Sequence, residues 1–440
     1  MPCDENLENQ TISNTPQNDR PQETKPRPSE NCLDLAKQTS ILSVFSDSLK
    51  SGGFAGPTHV PELVFLTLCT RVDKPGSLVI KGPSSSGKSY ALAAALQYVP
   101  KTAYELFHGM SERAILYLKI DLKHKFLIIQ EAGGFSEGVG RVFLRQLLSE
   151  GEVRYATVNS TADGLVGQEL PRIEGPTGLI MTTTSNGLHH EDETRLLSVR
   201  MDESPERIRE SLRAQAAVTQ RTLTEDQLAP WHELHDFVCN DSSTVLIPYA
   251  ESLAECMPIS HNRIARDFPQ VLSLIRAHAR LHQLNRTRNE KGRILATMED
   301  YAVTHRLVVD VLAQGLEMTV PPHVRQVVEA VVALSRATPT NANSDFAHPV
   351  SQRRLAEHLH RDQSVISRNV QASIEAGYLI NQNPGQGREA SLILGEHTMP
   401  SGQALPTPEE LTAALEKKAR PFAPVSVPIV VPTKERAMPF

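Results

Sequence analysis

The chain has 440 residues, of which 40% are hydrophobic, 22% charged and 5% aromatic, with a formal net charge of −6. That length and composition allow two or three domains with a sizeable core, and the negative balance excludes a global basic field, so any contact with nucleic acid has to be local. Five scattered cysteines (Cys3, Cys32, Cys69, Cys239, Cys256) with no Cys-x-x-Cys argue against a zinc ribbon or a disulfide framework and fit a reducing cytoplasm. The polar N-terminus (MPCDENLENQ) does not read as a signal peptide. The longest apolar run, Leu63 to Cys69, is too short to span a membrane, so no membrane association is expected.

Residues 1–32 are rich in Asn, Gln, Glu and Pro and are expected to stay disordered. Residues 33–74 read as two helical pieces, Leu33–Leu49 and Pro61–Val72, parted by Ser51-Gly52-Gly53. Residues 75–205 alternate short apolar strands with helices, as in a three-layer α/β domain. The first strand, Ser77–Lys81 (SLVIK), enters Gly82-Pro83-Ser84-Ser85-Ser86-Gly87-Lys88-Ser89, a complete G-x-x-x-x-G-K-[ST] phosphate loop. An Ala/Leu-rich helix, Tyr90–Val99, leaves it and stops at Pro100. In this arrangement the backbone N–H groups of Ser84, Ser85, Ser86, Gly87 and Lys88 face phosphates held at a positive helix N-terminus, with Gly82 opening the turn. Lys88 is expected to reach the β- and γ-phosphates, and the Ser89 hydroxyl to hold Mg²⁺. ATP and Mg²⁺ are the expected ligands.

Phe126–Glu131 (FLIIQE) predicts a buried parallel strand with its polar pair at the C-terminal end, where α/β sites gather. ATPases usually end this strand Asp-Glu, the Asp supporting the metal and the Glu polarising the attacking water. Here Gln130 takes the first position, which loses a negative charge beside the metal, and Glu131 keeps the place of the general base. The other register gives Glu131 to the metal and leaves Ala132 where the base should be. Gly178–Asn186 (GLIMTTTSN) is a second such strand, expected to bring Thr184 or Asn186 near the γ-phosphate. Arg195, just before the strand Leu196–Met201, suits a finger inserted into a neighbouring subunit's site.

Residues 206–315 are mostly helical, apart from a strand-like run at Thr244–Ile247. His189-His190-Glu191 and His232-Glu233-Leu234-His235 lack the H-E-x-x-H spacing of a metal site and read as solvated polar segments. Residues 316–398 form a separate unit of three helices and a two-stranded wing. In its third helix, from Asp362 to about Tyr378, Ile366, Val370, Ile374 and Tyr378 fall four apart and face inward. Ser364, Arg368 and Gln371 lie opposite, with Ser367 nearby and Arg388 in the wing loop, and suit DNA contacts. The tail, 399–440, is Pro-rich around one amphipathic stretch, Pro408–Arg420, and reads as a linker or a peptide for a partner.

The order of these parts resembles the AAA+ ATPases, in particular the minichromosome-maintenance-like branch found in phage and plasmid replication proteins. The resemblance covers residues 33–397. Glu152–Thr157 and Gly167–Ile173, flanking Asn159–Leu165 with Asp163-Gly164 as turn, look like the hairpin that points into the ring pore in that clade. Arg266–His282 is similar to its sensor-2 helix, with Arg266 or Arg276 as the arginine. The C-terminal unit resembles bacterial winged-helix regulators. The implied fold is a P-loop AAA+ α/β core (75–205) with a helical lid (206–315) and a C-terminal winged helix-turn-helix domain (316–398). The implied partners are DNA, further copies of the chain in a ring, and a primase or another replication protein. The hairpin tip lacks the Lys expected to grip DNA; its basic groups, Arg154 and Arg172, lie in the strands. The leading expectation is an ATP-driven helicase or translocase. An ATP-switched DNA-binding regulator without motor activity and a protein-remodelling ATPase are the alternatives.

Overall fold

A computed structural model of the chain describes residues 28–111, 114–117, 120–131, 139–161, 164–170, 172–184, 195–216, 223–240, 243–259, 262–317, 320–336, 349–385, 389–396, 399 and 404–419. The helix expected over 33–49 is two helices, α1 (Glu30–Ala36) and α2 (Ile41–Ser51). The Ser29 hydroxyl caps α1 by accepting from Cys32 N at 3.2 Å. Between them the carbonyls of Lys37 and Gln38 accept the Asn285 side-chain amide, 3.1 Å each. A partner that distant in sequence satisfies the broken turn, which no local pattern announces. The second piece is α3 (His59–Leu68), continued by a 3₁₀ turn at Cys69–Val72.

The central sheet is parallel, in the order β2-β3-β8-β1-β9. Its strands are β1 (Ser77–Lys81), β2 (Tyr104–Phe107), β3 (Phe126–Ile129), β8 (Gly178–Thr183) and β9 (Leu197–Arg200). Every residue of β1, β3 and β8 is buried. That explains their unbroken apolar runs: helices cover both faces, so neither needs a polar row. Alternate residues feed two cores. Leu78, Ile80, Ile128 and Ile180 pack with α2, α3 and α4 (Lys88–Leu96). Val79, Leu127, Ile129 and Met181 pack on the other side, with Ile115 of α5 (Ala114–Tyr117) and Phe143 and Leu147 of α6 (Val139–Glu150).

Between α6 and β8 the chain makes a hairpin. Short strands β4 (Glu152–Val153) and β7 (Ile173–Glu174) pair at its base, and β5 (Ala156–Thr161) and β6 (Gly164–Glu169) form its arm, closing with Thr161 opposite Gly164. Gly164, expected as part of the turn, is therefore already paired as the first residue of β6, and Asp163 lies outside the described residues. All of β6 is exposed.

After β9 come α7 (Pro205–Ala216), α8 (Glu225–Asn240), α9 (Ala250–Cys256), α10 (Ile264–Leu281) and α11 (Met298–Glu317). The run at Thr244–Ile247 becomes β10 (Val245–Leu246), paired in parallel with β11 (Ile294–Leu295). Trp231 of α8 packs edge-on against Phe45, Phe65 and Tyr98. The N-terminal helices and the 225–312 helices thus share one core with a face of the sheet.

The next unit has its own core, from Val320 to Leu392. It comprises α12 (Pro322–Arg336), α13 (Gln352–Leu359), α14 (Gln363–Glu375) and an antiparallel pair, β12 (Leu379–Asn381) and β13 (Leu392–Leu394). Ser351 caps α13 as expected, accepting from Arg354 N. Helix α14 ends before Tyr378 because Gly377 turns left-handed (φ 78°) and the Tyr378 N–H closes back on Ser373 O at 3.0 Å.

The tail behaves differently from its sequence reading. Helix α15 (Pro408–Ala419) folds back on α9 and α11, and Ala404, Leu405 and Leu411 are buried in the first core. The Tyr301 hydroxyl donates to Pro406 O, and Lys418 pairs with Glu255 at 2.5 Å. Part of the stretch expected to be linker or partner peptide is therefore core, and the 320–396 unit is an insertion into the helical layer. No described helix is long and apolar enough to cross a membrane.

Candidate nucleotide site

The Gly82–Ser89 loop joins the C-terminal end of β1 to the first turn of α4. Gly87 sits at φ 84°, the left-handed region that glycine takes without strain, and a side chain there would also displace the Arg207 guanidinium. Ser85, at φ 66°, takes the same left-handed region without being glycine. A cavity of about 480 Å³ opens above the loop, lined by Ser84, Ser85, Gly87, Lys88, Ser89, Tyr90, Glu131, Thr182, Thr183 and Thr184.

Lys88 is buried, and its Nζ donates to Gly82 O (2.8 Å) and Pro83 O (2.7 Å). Burial holds its ammonium below the usual lysine range, and the Glu131 carboxylate partly offsets this. An ammonium carries three donors, and two carbonyls leave one for an anion. The Ser86 hydroxyl is buried with no hydrogen-bond partner among the described residues. A buried cation and an orphaned hydroxyl in one glycine-framed loop fit a bound phosphate chain.

The two polar residues after β3 part company. The Gln130 side chain takes the hydrogen of His108 Nδ1 (2.8 Å) and does not line the cavity. Glu131 does line it. Its backbone is left-handed (φ 57°), and its N–H donates to Thr182 Oγ1 at 3.2 Å. A non-glycine residue in that conformation costs on the order of 1–3 kcal/mol, and such strain collects where a side chain must be aimed. With β8 lying between β1 and β3, the Thr182–Thr184 end of β8 stands between the loop and Glu131. Asn186 lies outside the described residues.

Arg195 stands at the N-terminal end of β9, the opposite edge of the sheet from the loop. Its guanidinium donates to Ser149 Oγ, its Nε is buried with no partner among the described residues, and its carbonyl accepts from Gln270 (3.3 Å). The five residues of β1 alone separate the two edges by roughly 16 Å. Arg266 is exposed at the start of α10, and neither it nor Arg276 lines the cavity. The sequence reading passed over Arg263. It is 3% exposed, pairs with Asp267 at 3.0 Å and donates to Leu196 O and Gly315 O, which fixes the turn that carries Arg195.

On the 320–396 unit, Ser364, Ser367, Arg368 and Gln371 are exposed on one face of α14, opposite the buried Ile366 and Val370. Arg368 Nε donates to Ser364 O, and Gln371 donates to Glu375. Arg354 and Arg361, both exposed on and beside α13, add cations that the sequence reading did not single out. Arg388 lies outside the described residues. On the hairpin, Arg154 pairs with Glu169 (2.9 Å) and Arg172 with Glu152, so both cations are neutralised, while Leu165 is 79% and Val158 60% exposed.

His232 Nε2 donates to Gln97 O at 2.7 Å, but His235 is fully buried, so the segment expected to be solvated throughout has one side in the core. The described residues hold no cluster of three metal-ligating side chains, and His189–Glu191 lies outside them.

No family model and no curated protein matches the chain. Among the solved structures it is similar to an active helicase, SCCmec type IV Cch, at 11% identity and a TM-score of 0.33, over 76% of this chain and 67% of that one. A likeness at that level carries no argument about function.

Proposed function

We propose that the chain is a P-loop ATPase of the AAA+ type that acts on DNA through a winged helix. The observation that carries the reading is the Gly82–Ser89 loop at the end of the central parallel strand, with Lys88 buried in it and Glu131 aimed into the same cavity. ATP is the substrate. The loop amides and Lys88 hold its phosphates and spread the charge that develops on transfer. A Glu131 carboxylate oxygen takes the proton of the attacking water, and the threonines at the end of β8 orient that water by hydrogen bonds. Ser89 would hold Mg²⁺, which when bound neutralises phosphate charge. Arg195 acts only across a subunit interface, because its own chain keeps it at the far edge of the sheet.

The test is Lys88→Ala. Calorimetry should show wild-type ATP binding and its loss in the variant; equal affinity in both overturns the assignment. DNA action is tested by turnover with and without single- and double-stranded DNA, followed by strand displacement. Two observations favour a second reading, a slow ATP-dependent switch rather than a motor. Gln130 is engaged by His108, and both hairpin arginines are neutralised. DNA binding that depends on ATP, without strand displacement, would select the switch.

A further inference from the structure

Helix α7 follows β9 and buries none of its residues. Its apolar side chains Ile208 and Leu212 are 49% and 58% exposed. What ties it to the site is Arg207, whose guanidinium Nη2 donates to Ser86 O in the Gly82–Ser89 loop. Gly87 lies against this side chain, and a Cβ there would strike the guanidinium. Among the described residues no carboxylate forms an ion pair with Arg207, so its charge faces the loop uncompensated.

Arg207 reaches the loop from behind Ser86 rather than lining the cavity, and the sheet order tells which end of a bound nucleotide would lie on its side. Strands β8 and β3 lie on one side of β1 and bring Thr182 and Glu131 to that flank of the loop; β9 lies on the other side and leads to α7. If the terminal phosphate lies against Glu131, the ribose end lies towards Arg207. We propose, resting on the nucleotide reading above, that Arg207 is a nucleotide-binding residue. It contacts the phosphates next to the ribose, which ATP and ADP share, and so fastens α7 to an occupied site.

The experiment is calorimetric titration of the full chain with ADP and with ATP, for wild type, Arg207→Ala and Arg207→Lys, alongside hydrogen exchange over residues 205–216. Because α7 buries nothing, Arg207→Ala should fold as wild type does, and Trp231 fluorescence checks this. The alanine variant should bind both nucleotides about 10–100-fold more weakly, the range for losing a charge-assisted hydrogen bond. Lysine, which keeps the charge and loses the fork, should fall between. ADP should slow exchange in α7 of the wild type and leave the alanine variant unchanged. Unchanged ADP affinity in Arg207→Ala overturns the proposal. So does a loss confined to ATP, which would put Arg207 at the terminal phosphate. A wild type that binds neither nucleotide instead overturns the nucleotide reading itself.

Discussion

Glu131 carries the sharpest chemical claim of the site. Its carboxylate lines the cavity beside Lys88 and Ser89, whereas Gln130, one residue earlier, is turned to His108. Of the two registers open in the sequence, one puts the base at Glu131; the other gives Glu131 to the metal and leaves Ala132, outside the described residues, where a base should be. Glu131→Gln separates them. The amide keeps the shape and loses the basicity, so ATP should stay bound while turnover falls about 10²–10⁴-fold. Undiminished single-turnover hydrolysis would show that another group activates water. If Glu131 served the metal instead, the variant would raise the Mg²⁺ concentration needed for ATP binding, a separate readout in the same titration.

At the scale of elements, the least expected feature is the return of α15. A Pro-rich tail has the composition of a linker, and residues 420–440 lie outside the described residues, but Leu405 and Leu411 are completely buried against the 250–312 helices. Leu411→Ala should therefore cost about 2–4 kcal/mol of stability, the usual range for a leucine cavity. Denaturant unfolding followed by Trp231 fluorescence measures this, since that ring stands among Phe45, Phe65 and Tyr98 in the same core. A loss below about 0.5 kcal/mol would mean that α15 does not dock. The insertion also decides how the 320–396 unit can be removed. Cutting the chain at residue 320 takes α15 with it, whereas replacing 320–396 by a short linker spares the core.

At the scale of the whole molecule, buried histidines set the response to acid. His235 is fully buried, and burial, helped by Arg71 and His232, lowers its pKa from 6.5 to about 3. His282 is lowered to about 3 likewise, by burial first and then by His278 and Arg286. Both rings are neutral in the fold and gain a proton on unfolding below their ordinary pKa. The unfolded state then binds more protons, so stability falls as pH drops from about 6.5 towards 3. Asp300 acts later. Burial raises its pKa, but hydrogen bonds from His278 and Arg286 outweigh this and bring it from 3.8 to about 2. Its share of stability is present above pH 3.8 and is lost between there and 2. Between pH 7 and pH 5 each histidine should remove on the order of 2 kcal/mol. Thermal unfolding at several pH values should show this slope, and His235→Phe should roughly halve it. A melting temperature flat from pH 7 to 5 would rule it out.

The sequence by itself determined the parts whose cause is local. The run Ser77–Ser89 fixes strand, loop and helix start, because an apolar strand, two glycines and a lysine leave few other conformations. The four-residue spacing of Ile366, Val370 and Ile374 fixes the inner face of α14, and Ser351 its neighbour's start. Tertiary structure alone decided what depends on partners far along the chain. Arg207 is one arginine among many until β9 delivers its helix to the loop, and Arg263 is unremarkable until it closes on Leu196 O. The break between α1 and α2 needs Asn285, and the burial of Leu405 needs α11. Strand order, too, is set by how helices pack on the two sheet faces. That order puts Glu131 on one flank of the loop and Arg207 on the other, and keeps Arg195 at the far edge. Short-range patterns encode which residues form an element; which elements meet is encoded only in the sum of many weak packing terms, which no single window of sequence contains.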